Sequence, residues 1–248
     1  MHSLEVKELK KSYNGKTIIS DISMNISSGE VVGLLGSNGA GKTTTFQMIL
    51  GLVSSDAGII YLDGEDLVSF PMYKRARKGI GYLPQETSIF RRLSVKDNLR
   101  AVLEMTEMGK DEREHKLNGI LEEFNLMPFA ERYGHQLSGG ECRRAEIARA
   151  LALDPLFILL DEPFAGIDPI AVIELKKTFK QLKDKGIGLI ITDHNVRDTL
   201  SITDRAYILI DGQIYTAGSA EEIASNEEVK RLYLGETFTL DRYGLRDA

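Results

Sequence analysis

Residues Gly36 to Thr43 read GSNGAGKT, a G-x-x-x-x-G-K-[ST] pattern set between the apolar run VVGLL and the helix-forming TTTFQMIL. Glycines at 36, 39 and 41 allow successive backbone amides to turn inward around phosphate oxygens. Lys42 adds a point charge to those phosphates, and Thr43 offers a hydroxyl to Mg²⁺. The cradle so defined comprises Gly36, Ser37, Asn38, Gly39, Ala40, Gly41, Lys42, Thr43 and Thr44. A glycine-rich turn before a helix would explain the glycines, but it does not call for Lys-Thr after the last of them.

The run FILLDEP places Asp161 and Glu162 at the carboxyl end of a short apolar strand, where open α/β sheets hold their ligands. Asp161 is suited to hold Mg²⁺ or its water, and Glu162 to polarise a water attacking a γ-phosphate. Gln85, after GIGYLP, can reach the same cation or water, and His194, ending IITDH, can hydrogen-bond a γ-phosphate. Either residue alone reads as an ordinary loop residue. Tyr13 precedes an Asn14-Gly15 turn, where its ring could stack on a base for roughly 1–3 kcal/mol. Asp168 before Pro169 reads as a helix N-cap with proline at the first helical position.

A further stretch, LSGGECRRAEIARAL from Leu137 to Leu151, starts a helix in an unusual way. Ser138 and Glu141 form an S-x-x-E capping box, yet Gly139 and Gly140 fill the first helical positions. Each glycine costs a helix interior about 0.8–1.0 kcal/mol relative to alanine, less at its end. What they permit is close approach of an anion to bare amides at the positive end of the helix dipole.

Positioning these residues requires an α/β scaffold, and the chain supplies its pattern. EVVGLLG, FILLDE and GLIITDH are continuous apolar runs followed by helix-forming segments, as in buried parallel strands. LEVKELKKSY, TIISDISMNIS and GIIYLDG alternate or carry β-branched residues, which predicts a largely antiparallel N-terminal sheet. SVKDNLRAVLEMTEM and DEREHKLNGILEEFNL have helical spacing, with starts that read as caps at Ser94 and Asp111. Asp211-Gly212 between apolar runs predicts a hairpin, and SAEE at 219–222 another capped helix. The 248 residues are 42% hydrophobic, enough for a substantial core, with no apolar run near the roughly 18 residues of a membrane span. A net charge of −6 without a basic stripe argues against nucleic acid as partner. Cys142 is the only cysteine, which excludes an intrachain disulfide, and the charged N-terminus does not read as a secretory signal.

Taken in order, these residues resemble the motif series of ABC transporter nucleotide-binding subunits over nearly the whole chain. The resemblance implies a P-loop NTPase fold with a RecA-like core, an antiparallel β subdomain, and a helical subdomain at about 88–153. The ATPase domain would span 1–240 and a tail 241–248. It implies ATP and Mg²⁺ as cofactors, with Tyr13 on the base, Gly36–Thr44 on the phosphates, and Thr43, Gln85 and Asp161 on the metal. Glu162, His194, Gln85 and Lys42 would be catalytic. The LSGGE signature (with Glu141 where many members have glutamine) and Asp168 would contact nucleotide across a homodimer, each signature facing the ATP of the partner's P-loop.

Within the family, GYLPQETSIFRRLSVKDNL, LDEPFAGIDPIAV, ITDHNVRDTL and VKRLYLGETF are similar to the lipopolysaccharide-export subgroup. That likeness implies an ATPase on the cytoplasmic face of the inner membrane, assembled with two transmembrane permease subunits. Phe90 and Arg91 would meet those subunits, and lipopolysaccharide would be the indirect cargo. Cys142 stands where the subgroup usually has arginine, and residues 241–248 run past its usual end; neither takes an inherited role. Two other readings stay open on the residues: an ATPase of branched-chain amino-acid uptake, and a soluble ABC-type ATPase acting on ribosomes or DNA.

Overall fold

Alternation along the first strand places Leu4 and Val6 on one face, and that face is buried. In the computed structural model, which describes residues 1–242, ten strands join one sheet. They are β1 (Ser3–Tyr13), β2 (Lys16–Ser27), β3 (Val31–Gly36), β4 (Ala57–Leu62) and β5 (Glu65–Asp66). The chain continues with β6 (Ile80–Leu83), β7 (Phe157–Asp161), β8 (Gly188–Thr192), β9 (Arg205–Ile210) and β10 (Gln213–Ser219). The order across the sheet is β5-β4-β1-β2-β10-β9-β3-β8-β7-β6. β1 pairs antiparallel with β2 and β4, as the alternating N-terminal runs predict. Every residue of β3, β7 and β8 is buried, which is why these strands are continuous apolar runs.

From β9 through β3, β8 and β7 to β6 the pairing is parallel throughout. The loops leaving β3, β6, β7 and β8 therefore emerge along one edge, the topological reason that Gly36–Thr43, Gln85, Asp161–Glu162 and His194 can meet. Helix α1 (Lys42–Leu50) follows the β3 loop and packs Phe46 and Ile49 into the core beneath the antiparallel strands. Its C-terminal carbonyls, those of Met48 and Ile49, each accept from buried Arg75 at 2.7 Å; this residue lies on α2 (Met72–Arg77).

Residues 88–153 contribute α3 (Val95–Leu103), α4 (Lys110–Glu123) and α5 (Gly139–Leu151). Their Leu99, Leu117, Leu121 and Ala148 share one core with Leu83 and Leu160 of the parallel strands. Ser94 caps α3 as expected, accepting from the Asp97 amide at 3.0 Å. The expected cap at Asp111 is corrected: α4 starts at Lys110 with Gly109 at the N-cap, and Asp111 lies in the first turn. There its carboxylate still faces the positive end of the helix dipole, which is the signal the sequence carries.

The helices α6 (Pro169–Asp184), α7 (Val196–Ile202) and α8 (Ala220–Ser225) follow, and short helical segments at Glu227–Val229 and Lys230–Leu234 come after them. The β9–β10 hairpin turns at Asp211 and Gly212 with φ of 46° and 76°, the left-handed pair of a two-residue turn. Of the expected tail, residues 243–248 lie outside the described residues. Arg242 docks on α8 through Glu221, at 2.6 and 3.0 Å. Among the described residues, no helix is long and apolar enough to cross a membrane.

Candidate functional site

The phosphate cradle forms as the strand-to-helix turn that its letters require. Gly41 is the N-cap of α1 with φ 109°, and a Cβ there would run into Ile19 of β2. At Gly36 a Cβ would strike the Leu209 carbonyl, so both glycines answer to close packing. Gly39 meets nothing within 4 Å and serves the turn alone. Thr45 donates its amide to the Gly41 carbonyl at 2.9 Å. The amides of Lys42, Thr43 and Thr44 precede it at the helix end, where an anion is the natural partner. Lys42 Nζ donates to the carbonyls of Gly36 at 2.7 Å and Ser37 at 3.0 Å. Burial holds its pKa below the ordinary value, against the pull of Glu162 and Asp161 in the opposite direction.

Asp161 ends β7, with Oδ1 accepting from the Thr192 hydroxyl at 2.8 Å and Oδ2 from the Tyr82 hydroxyl at 3.4 Å. Burial raises its pKa from the usual carboxylate value. Burial, with Asp161 beside it, also pushes the Tyr82 phenol up to about 12, so it remains a donor near neutrality. Glu162 turns the chain at φ 45°, a left-handed conformation uncommon for a residue with a side chain and characteristic of functional sites. Its Oε2 accepts from Gln85 Nε2 at 2.7 Å and lies 3.3 Å from His194 Nδ1. His194 is presented by buried Asp193, which accepts from the amides of Phe164 at 3.0 Å and Asn195 at 2.7 Å. The structure thus brings Lys42, Gln85, Asp161, Glu162 and His194 into one cluster.

Ser138 to Glu141 stand apart from it. The capping box is formed: Glu141 Oε2 accepts from the Ser138 amide at 2.8 Å, and Ser138 Oγ from the Glu141 amide at 3.4 Å. That first bond holds the Glu141 carboxyl below its usual pKa. The two glycines have different reasons. A Cβ at Gly140 would press on Ala171 of α6 at 2.9 Å, so Gly140 answers to packing, whereas Gly139 meets only the Gly166 carbonyl at 4.0 Å. Asp168 caps α6, accepting from the amides of Ile170 at 3.1 Å and Ala171 at 3.0 Å. Among the described residues, no hydrogen bond joins Ser138–Glu141 to Lys42, Gln85, Glu162 or His194. Tyr13 likewise stands outside the cluster, partly exposed at the end of β1 with Lys11 Nζ 5.2 Å from its ring centroid.

Sequence reasoning missed a buried ionic hub beneath the cluster. Arg143 of α5 donates to the carbonyls of Pro84 at 2.8 Å and Asp161 at 3.3 Å, and to Glu146 at 3.2 Å. Glu146 also accepts from the Ser88 amide, and from the Ile89 amide at 3.1 Å. The signature helix therefore grips both the loop after Gln85 and the end of β7. The only textual signal was the opposite-charge spacing of three residues, which on most helices marks a solvated face. Beside the hub, Tyr82, Pro84, Ser88, Val102 and Arg149 help line a groove of about 310 Å³. Phe90 is 53% exposed under the Arg149 guanidinium, and Arg91 is exposed as well, so Phe90 does not belong to the core.

Cys142 is half-buried next to the signature, and burial pushes its thiol up to about 11 from 9.0. That rise lowers the thiolate fraction at pH ~8 about a hundredfold, and only the ionised thiol reacts. Iodoacetamide should label native Cys142 about a hundred times more slowly than the unfolded chain at that pH; equal rates in a quenched time course would contradict this burial.

Parallel strands whose carboxyl ends carry a phosphate cradle, an acid pair, a glutamine and a histidine define a P-loop nucleotide hydrolase. The chain matches the ABC transporter family model over residues 19–165, more than half its length, and belongs to that family as an ABC-type ATPase. It is 54% identical over 241 residues to the lipopolysaccharide export system ATP-binding protein LptB of Escherichia coli, covering 97% of this chain and 100% of that protein. The Haemophilus influenzae LptB is also 54% identical over 241 residues, with coverage of 97% and 100%. Among solved structures, the ADP conformation of an ATP-binding cassette of an ABC transporter aligns with a TM-score of 0.85 at 26% identity, covering 95% of this chain and 100% of that one. A dimeric post-hydrolysis cassette bound to ADP and phosphate aligns with a TM-score of 0.77 at 26% identity, over 88% and 98% of the two chains.

Proposed function

We propose that the chain powers extraction and export of lipopolysaccharide from the inner membrane, as the ATP-hydrolysing subunit of an ABC transporter with two transmembrane permease subunits. The observation that carries the mechanism is the split site: among the described residues, no hydrogen bond joins the Ser138–Glu141 helix start to Lys42, Gln85, Glu162 or His194. A homodimer arranged head to tail completes each half with the other. The relatives named LptB, similar over nearly their full length, support the cargo.

In this reading the amides of Gly39 to Thr44 and the Lys42 ammonium bind the phosphates of ATP, and the Tyr13 ring stacks on its base. Thr43, Gln85 and Asp161 would hold Mg²⁺. The oxygens these residues offer, the buried Asp161 carboxylate foremost, suit a hard cation that takes its remaining ligands from phosphates and water. When bound, it neutralises charge on the transferred phosphoryl group. Glu162 accepts a proton from the attacking water, while Gln85 and His194, both on its Oε2, fix its direction. The partner's Gly139 and Gly140 amides and Asp168 loop close over the nucleotide. Exposed Phe90, under the Arg149 guanidinium, and exposed Arg91 meet the permease subunits on the cytoplasmic face, and no nucleic acid takes part.

Ser138→Arg should leave ATP binding to monomers intact but lower hydrolysis at least a hundredfold, since a bulky cation blocks the partner's nucleotide. Equilibrium binding and turnover separate the two effects; loss of monomer binding would place Ser138 in its own chain's site. The cargo is tested by a pull-down of tagged Glu162→Gln protein with ATP and Mg²⁺ from solubilised native membranes. Recovery of lipopolysaccharide-exporter permeases supports the proposal. Amino-acid permeases would overturn the cargo, and ribosomal or DNA-bound partners would overturn transport.

A further inference from the structure

The Asp161 carboxylate is held at both oxygens by hydroxyls from neighbouring strands. Thr192 of β8 bonds Oδ1 at 2.8 Å and is fully buried. Tyr82 reaches Oδ2 at 3.4 Å from β6, which stands at the end of the strand order and, among the described residues, pairs only with β7. Without the second bond the carboxylate could still rotate about its Cβ–Cγ axis, a broad torsion with little preference of its own. A group that must aim one lone pair at a cation or its water loses affinity when that rotation is free. The ring of Tyr82 packs against the core that holds Ile80 and Leu159, and one side lines the groove with Pro84 and Arg149. Packing therefore fixes the ring, and the hydroxyl is left for Asp161.

We propose that Tyr82 is a positioning residue: its hydroxyl holds the Asp161 carboxylate in the orientation that receives the Mg²⁺ of the nucleotide. This rests on the reading of Asp161 as the metal carboxylate given under the proposed function. Outer-shell hydrogen bonds to metal-ligating carboxylates are worth about 10–100-fold in metal affinity. At 3.4 Å the contact is longer than the usual range of about 2.5–3.0 Å for a hydroxyl donor, so an effect no larger than the bottom of that affinity range is expected.

Tyr82→Phe removes the hydroxyl and keeps the ring, so the full chain should melt at the parent temperature. Binding of a fluorescent ATP analogue without Mg²⁺ should also equal the parent. The Mg²⁺ concentration giving half of the cation-dependent change in analogue fluorescence should rise about tenfold. Turnover at saturating Mg²⁺ should fall far less than turnover at limiting Mg²⁺. An unchanged Mg²⁺ midpoint overturns the proposal, as does an equal loss of affinity without Mg²⁺, which would make Tyr82 a packing residue. Asp161→Asn is the reference. If Asp161→Asn raises the midpoint and Tyr82→Phe does not, only the role of Tyr82 fails; if neither raises it, Asp161 is not the metal carboxylate and the wider reading fails.

Discussion

Glu162→Gln is expected to lower ATP turnover roughly a thousandfold, within the 10²–10⁴-fold range of a general base, while nucleotide affinity stays near the parent value. The glutamine amide preserves shape but cannot take a proton from water. Its surroundings make the expectation specific. Glu162 is held left-handed at φ 45°, and one of its oxygens is shared by Gln85 at 2.7 Å and His194 at 3.3 Å. A side chain constrained in this way has its direction set before substrate arrives, and removing its basicity alone should suffice. Steady-state phosphate release and nucleotide titration check the two halves of the expectation. Hydrolysis at the parent rate would take Glu162 out of the mechanism.

The second large effect is on stability. Glu146→Ala leaves the Arg143 guanidinium, only 6% exposed and already pulled below its usual pKa by burial, without its counter-charge. Breaking a buried pair on one side costs about 3–5 kcal/mol, which for a domain of this size lowers the melting temperature by roughly 10 °C at about 2–4 °C per kcal/mol. The variant also frees the amides of Ser88 and Ile89, so the loop carrying Gln85 loses its anchor and turnover should fall with stability. Replacing Arg143 and Glu146 together by leucine should cost less than Glu146→Ala, because no charge is then left buried. Calorimetry of the three chains decides this; a single variant melting within a degree of the parent would mean that water reaches Arg143.

Legibility in the sequence followed the range of the interaction. Local chemistry was plain: the apolar runs became β3, β7 and β8, Ser94, Ser138, Asp168 and Ser219 became caps, and Asp211-Gly212 turned the hairpin. The parallel order then brought the cradle, the acid pair, Gln85 and His194 to one edge. Asp111 misled because an acid in a first turn and an acid at an N-cap serve the same dipole, and Asp111 lies two positions past the actual N-cap, Gly109. Gly140 looked like a ligand position and is equally a contact with Ala171, which no local reading could find. Arg143, Glu146 and Tyr82 were invisible for a related reason. Their meaning depends on the loop after β6 folding back over α5 and the end of β7, contacts between residues about 60 to 80 positions apart in the chain.

The central claim is that one chain holds two halves of a site that only a second copy completes. The most direct test is the mass of purified Glu162→Gln protein in light scattering, with and without ATP and Mg²⁺, beside the Glu162→Gln, Ser138→Arg double variant. The account predicts a monomer without nucleotide, a doubled mass with it, and a nucleotide-bound monomer for the double variant. A Glu162→Gln chain that binds ATP and stays monomeric, or a double variant that dimerises as well as the single one, would contradict it.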